Sequence, residues 1–452
     1  MRFCVLSVAR AHCSYYSTLL LLQAQYGVAT PCVETVRSWV LRLGLYLLQQ
    51  LPPQRPDWVW IIDHTLQWGT ARCLVILGVA QAHLNAHGFR LRHADVCVLA
   101  VEVVAHSDGV VVHQQLTALA ARVGVPRQIV SDHGADLAKG IRLFQHEHPA
   151  VLDTYDVTHK MACLLKGLLE PDERWQAFVR QCAATAARLR QTAGSFLMPP
   201  TLRCKARYMN LEALLQWAAR LQAVATPAGL GRLAAALEMP VAAAQSWWQE
   251  TFAWLEEFRA DLESWQQFWE LVCRAEEQVR AVGLDAHAGQ VYRAALPAPR
   301  GHDARVGRLA EHIESFLSAE GGKVAPGPAS LGSSEIIESV FGSYKQYVER
   351  SVWPEIGSNV LLLPVLLVTL STELLWRGLQ AVGCREVWAW CRAHLGRSRR
   401  QRFRQVFGKK PRTTAQAEAR AAGSALGEAE ATEGPPPAEA AGRPPPEGKI
   451  AA

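Results

Sequence analysis

The run Trp58-Val59-Trp60-Ile61-Ile62-Asp63-His64-Thr65 constrains this chain more than any other stretch. Five apolar, β-prone residues follow Pro56 and lead straight into one carboxylate. A run this short, apolar at successive positions and bounded by a breaker, reads as a strand buried on both faces. A carboxylate where such a strand ends sits at the rim of a sheet, where open α/β folds place their chemistry. A simple turn cap into Thr65 would also explain Asp63, so the rest of the chain must decide.

Residues 73–80 (CLVILGVA) and 96–106 (VCVLAVEVVAH) read as two further strands, with 64–72 and 81–95 as connections. Asp108-Gly109 opens a helix over 110–122, and Gly124-Val125-Pro126 breaks it. Gln128-Ile129-Val130-Ser131 is a fourth strand delivering Asp132 at its end. A helix over 135–145 follows, with Leu137, Ile141 and Phe144 inward, and then a short fifth strand over 153–157. The early strands are close enough for an antiparallel meander, whereas the later ones need helical crossovers. This order resembles the ribonuclease H-like fold. The expected class is therefore α/β, a mixed sheet interrupted by a large all-α insertion.

The insertion is expected over residues 161–330, where the text becomes rich in Ala, Leu, Gln, Glu and Trp at helical spacing. It divides a core of residues 57–160 from a second part with closing helices over 331–395. Within that second part, residues 360–378 read as one buried apolar helix. Residues 1–52 look like a helix-turn-helix: a helix over 17–25, a turn, then Thr30 as cap and Pro31 at the first helical position. Val33, Val36, Val40 and Leu43 form its inner stripe, which puts Arg37, Ser38 and Arg42 outward, where a DNA-binding unit would meet phosphates or base edges. An ordinary helical hairpin packed on the next domain fits the same pattern. A basic segment follows at 396–412; from Arg392 to Arg412 there are nine Lys/Arg and no acid, which favours polyanions. The Ala/Glu/Gly/Pro-rich tail, 413–452, is disordered by composition.

The eleven cysteines never fall in a Cys-x-x-Cys pair, which argues against a zinc ribbon and for a reducing compartment. No apolar run approaches the roughly 18 residues of a membrane span, and no secretory leader is expected.

Asp132 repeats the logic of Asp63. In a ribonuclease H-like sheet the first and fourth strands are neighbours, so the two carboxylates meet at one edge. Their repulsion calls for a cation, and all-oxygen ligation suits Mg²⁺ or Mn²⁺. A third acid lies in Ser333-Ser334-Glu335-Ile336-Ile337-Glu338-Ser339-Val340-Phe341-Gly342-Ser343-Tyr344-Lys345. Glu335 has a sufficient reason to stand in a first helical turn; Glu338, a turn further in, does not. Glu338 and Lys345 are seven apart, about 700° around a helix, and so share one face. That pairs a metal-binding acid with a phosphate-binding lysine.

Together, strand-end Asp63, Ser131-Asp132, the Glu338-x6-Lys345 spacing and the long helical insertion resemble the DDE transposases of bacterial insertion sequences. Asp156-Val157-Thr158-His159 also resembles a Cys/Asp-x-x-His signature of several transposase superfamilies. The resemblance covers roughly residues 57–350. It implies a catalytic and metal-holding triad of Asp63, Asp132 and Glu338, two Mg²⁺ or Mn²⁺ ions, and Lys345, Arg37 and Arg42 against DNA. His159, Asp156, Asp136 and Glu335 stand as supporting residues, Glu335 also as a rival for the third ligand. The implied partners are double-stranded DNA at the element's ends and target DNA, met as a homodimer, in the cytoplasm on the nucleoid. A catalytically inactive, transposase-derived DNA-binding protein and a ribonuclease H-like nuclease are the alternatives.

Overall fold

The computed structural model describes residues 1–27, 31–68, 71–201, 211–298, 300, 302–348 and 355–408. Three helices open the chain: α1 (Arg2–Ala9), α2 (Tyr15–Tyr26) and α3 (Val33–Gln49). The sheet region then runs β1 (Trp58–Trp68), β2 (Ala71–Ala80), α4 (Gln81–His87), β3 (Cys97–Val104), α5 (Gly109–Val123), β4 (Gln128–Ser131), α6 (Ala135–Glu147) and β5 (Leu152–Tyr155). Helices follow without another strand: α7 (Val157–Leu169), α8 (Glu173–Leu189), α9 (Leu211–Val224), α10 (Pro227–Ala236), α11 (Val241–Phe252), α12 (Arg259–Val282), α13 (Ala288–Ala294) and α14 (Ala304–Gly322). Then come α15 (Glu335–Val348), α16 (Leu362–Leu367), α17 (Thr372–Ala381) and α18 (Cys384–His394). A separate compact unit holds α19 (Arg399–Phe407).

The result is a mixed α/β fold around one five-stranded sheet in the order β3-β2-β1-β4-β5. β1, β2 and β3 form an antiparallel meander, while β4 runs parallel to both β1 and β5. Alternation along β1 assigns its two faces. Val59 and Ile61 join a core with Val75, Leu77, Val130 and the helical residues Ile337, Phe341 and Tyr344. Trp58, Trp60 and Ile62 join the opposite core, built with Leu116, Ile141 and Phe144 of α5 and α6. The double burial expected of this strand is therefore real.

Helices α7 to α14 share a third core, in which Trp175, Trp248 and Trp265 are buried. Trp217, Trp247, Trp254 and Trp269 are half-buried against it. An antiparallel bridge, Leu284 with Ser330, closes this lobe back towards the sheet. The end of α14 also covers the edge strand: Glu320 accepts the Tyr155 amide at 3.1 Å, and the Lys323 ammonium donates to the Asp153 carbonyl at 3.3 Å. Blocking an edge strand in this way prevents pairing with another chain.

Several expectations need correction. β1 does not end at Asp63; it stays paired to β2 through Trp68, with a bulge between His64 and Leu66. What ends beside Asp63 is the pairing with β4. The single apolar helix expected over 360–378 is broken in two, because Val368 is extended and Ser371 caps α17 by accepting the Leu374 amide. The Arg10 guanidinium binds the Leu366 and Val368 carbonyls at that break, both at 2.8 Å.

The opening hairpin packs into the sheet's own core through Val36, Val40 and Leu43, while Leu41 and Leu45 of α3 enter a second cluster with Leu361, Val382 and Val387. Cys32, not Thr30, is the N-cap residue of α3, and Thr30 lies outside the described residues. Arg37 and Arg42 do not point outward. Arg37 donates to Glu34 and to the Ser358 hydroxyl, and Arg42 to the carbonyls of Val382 and Leu379 at the end of α17. Two nitrogens of each guanidinium are thus engaged within the chain. The tail over 413–452 and the last part of the basic segment lie outside the described residues.

Candidate active site

Asp63 and Asp132 occupy one end of the sheet on neighbouring strands. The parallel register pairs Ile62 with Ser131, so the next residue on each strand is the acid. Asp63 shares the face of Val59 and Ile61, and Asp132 continues the face of Val130, so both belong to the side on which α15 packs. There Ile337, Phe341 and Tyr344 are buried, leaving Glu338 on the rim of the helix next to the strands. The electrostatics follow. Burial pushes the Asp63 carboxyl well above the usual carboxylate range, and the charges of Asp132 and then Glu338 push it further. The His64 amide, donating to Asp63 Oδ1 at 2.6 Å, and the Lys345 ammonium pull it back. One sheet-end carboxylate, one helical carboxylate and one lysine thus act on Asp63.

The chain around Asp132 is turned by its neighbours. His133 adopts a left-handed conformation (φ 53°), and Asp132 Oδ1 accepts the Gly134 amide at 2.8 Å as α6 begins. The His133 ring bonds Asp153 at 2.9 Å and stacks on Tyr155. Asp136, in the first turn of α6, accepts the Ser107 hydroxyl at 2.9 Å and lies 3.8 Å from both His64 Nδ1 and Arg72 Nε. His64, Arg72 and Ser107 were not legible in the sequence, since they gather only when β1 runs on past Asp63.

Asp156 supports the site from behind. It is buried, caps α7 by accepting the His159 amide at 3.0 Å, and accepts the Ser334 amide at 2.9 Å with its other oxygen. Burial pushes its carboxyl up, and those amides oppose the shift. One side chain thereby fixes the starts of α7 and of the segment leading into α15. The His159 ring lies by Tyr155, with centroids 5.9 Å apart.

Glu335 is turned elsewhere: its carboxylate lies 2.7 Å from Arg280 of α12. Arg280 also reaches Glu276 and Thr158. No feature of the sequence marks Arg280 as part of this region. Among the described residues no three His, Cys, Asp or Glu side chains are already gathered round a common point as a loaded ion would gather them.

No protein-family model and no curated protein matches this sequence.

Proposed function

We propose that this chain is a DNA-cutting and strand-joining enzyme of the DDE transposase kind, with a ribonuclease H-like core and the triad Asp63, Asp132 and Glu338. The observation that carries the reading is the register of Asp63 beside Asp132, with Glu338 and Lys345 on the same side and all acting on the Asp63 carboxyl. The strand order and the helical lobe between β5 and α15 support it as well.

The donor set fits a hard divalent cation. Two carboxylates, Asp132 and Glu338, act on a third, Asp63, whose ionised form is disfavoured first by burial and then by those two like charges, and an Mg²⁺ or Mn²⁺ ion would offset the repulsion. Asp63, Asp132 and Glu338 would hold two such ions, which when bound supply charge neutralisation at the phosphate and activation of the attacking oxygen. Lys345, on the face of Glu338, would hold a non-bridging phosphate oxygen and orient the scissile bond. Asp156 would keep α15 seated so that Glu338 faces the strands. The substrates would be duplex DNA at the element's ends and a target duplex, met by a homodimer. Arg37 and Arg42 are given no DNA contact in this scheme, because two nitrogens of each guanidinium already hold other parts of the chain.

The test uses a duplex carrying the repeats that flank the gene, mixed with a plasmid target. The wild-type chain is expected to release 3′ ends in Mg²⁺ and join them to the plasmid. Asp63→Asn and Asp132→Asn should abolish both steps yet still bind the duplex. Cleavage without joining would favour a simple nuclease, binding without cleavage a transposase-derived binding protein, and undiminished cleavage in either variant would sink the triad.

A further inference from the structure

We infer that Arg280, reaching out of the helical lobe, is a positioning residue that decides which glutamate of α15 faces Asp63 and Asp132. The inference rests on the carboxylate site proposed above. Glu335 and Glu338 are one turn apart and about 60° apart around the axis. A modest rotation of α15 would exchange them. The helix's own packing buries Ile336, Ile337, Val340, Phe341, Tyr344 and Val348, and leaves both Glu335 and Glu338 exposed outside that band.

Arg280 supplies what the band does not. Its Nε lies 2.7 Å from Glu335, and its terminal nitrogen lies 3.2 Å from Glu276 and 3.5 Å from the Thr158 hydroxyl. The Glu335 contact is an ion pair rather than a hydrogen bond, while the terminal nitrogen bonds Glu276 and Thr158, so one edge of a planar, rigid group bridges three elements. The three elements it joins are α12, α7 and α15. Asp156 adds a further point by holding the Ser334 amide just before α15. With Glu335 drawn towards the lobe, Glu338 is the acid left towards the sheet.

Removing Arg280 would take away the guanidinium that offsets the charges of Asp156 and Glu335 at the buried Glu276. The uncompensated charge would act on the first turn of α15, which carries Glu338 as well as Glu335. The lobe therefore sets the metal site through one side chain.

The test measures Mn²⁺ binding to the full chain by calorimetry without DNA, so that it does not depend on the substrate. Arg280→Ala and Glu335→Ala should each weaken binding at least tenfold, and the double variant should be no more than about threefold worse than either, because both remove one contact. Glu335→Gln keeps an oxygen for the guanidinium and should bind within threefold of wild type. Circular dichroism must show wild-type helix content in each variant, and a misfolded Arg280→Ala is replaced by Arg280→Lys, which keeps the charge without the fork and should weaken binding too. Wild-type affinity in the folded single variants overturns the inference, as does a double variant whose losses multiply. A wild-type chain that binds no Mn²⁺ overturns the carboxylate site itself, and this assignment with it.

Discussion

At the scale of single residues, the chain concentrates carboxylates where they cost stability. Asp63 is disfavoured by burial and two like charges, and Asp156 by burial. Glu276 is pushed up to about 7, mainly by burial, with Arg280 opposing the shift and Asp156 and Glu335 adding to it. Between the ordinary glutamate value and about 7, the folded chain keeps the Glu276 proton while the unfolded chain has lost it. This contribution to stability is therefore full below that window and lost as pH rises through it, by up to roughly 3 kcal/mol. Glu276→Gln is expected to flatten that part of the profile of thermal midpoint against pH. A slope unchanged by the substitution would show that Glu276 is ionised throughout. The two strand acids were readable in advance because each closes a short apolar run. Arg280 was not, because its partner lies 55 positions downstream by numbering (335 − 280) and only the folded lobe brings them together.

At the scale of elements, close backbone approach explains why α3 belongs to the core. A Cβ added at Gly44 would lie 1.8 Å from the Leu361 carbonyl oxygen. Gly44→Ala is predicted to cost about 2 kcal/mol or more, since the obstacle is backbone and cannot swing aside. A thermal midpoint within a degree of wild type would contradict that approach. The same packing shows where the sequence misled. One apolar stripe on α3 leaves Arg37 and Arg42 outward, but Leu41 and Leu45 lie off that stripe and mark a second buried side. The extension of β1 was hidden because His64 and Thr65 are polar, and its pairing to Ala71 and Arg72 is visible only as a hairpin. The break at Val368 was overlooked although Pro364 lies before it and Ser371-Thr372-Glu373 after it, the second a ready helix start inside a largely apolar stretch. Where burial and punctuation agreed, as in β4, the strand fell at its expected residues, Gln128–Ser131.

At the scale of the whole molecule, one sheet with two cores carries the acids, and a helical lobe with its own core meets it through Asp156, Glu320 and Arg280. Among the described residues no helix is long and apolar enough to cross a membrane. The central claim is that Asp63, Asp132 and Glu338 form one divalent-ion site. Mn²⁺ titration of the intact chain followed by electron paramagnetic resonance tests it most directly, because bound and free ions are counted separately. Two bound ions are expected per wild-type chain, at least one of them lost in each of Asp63→Asn, Asp132→Asn and Glu338→Gln, and both retained in Glu335→Gln. Loss of an ion in Glu335→Gln with full retention in Glu338→Gln would contradict the account.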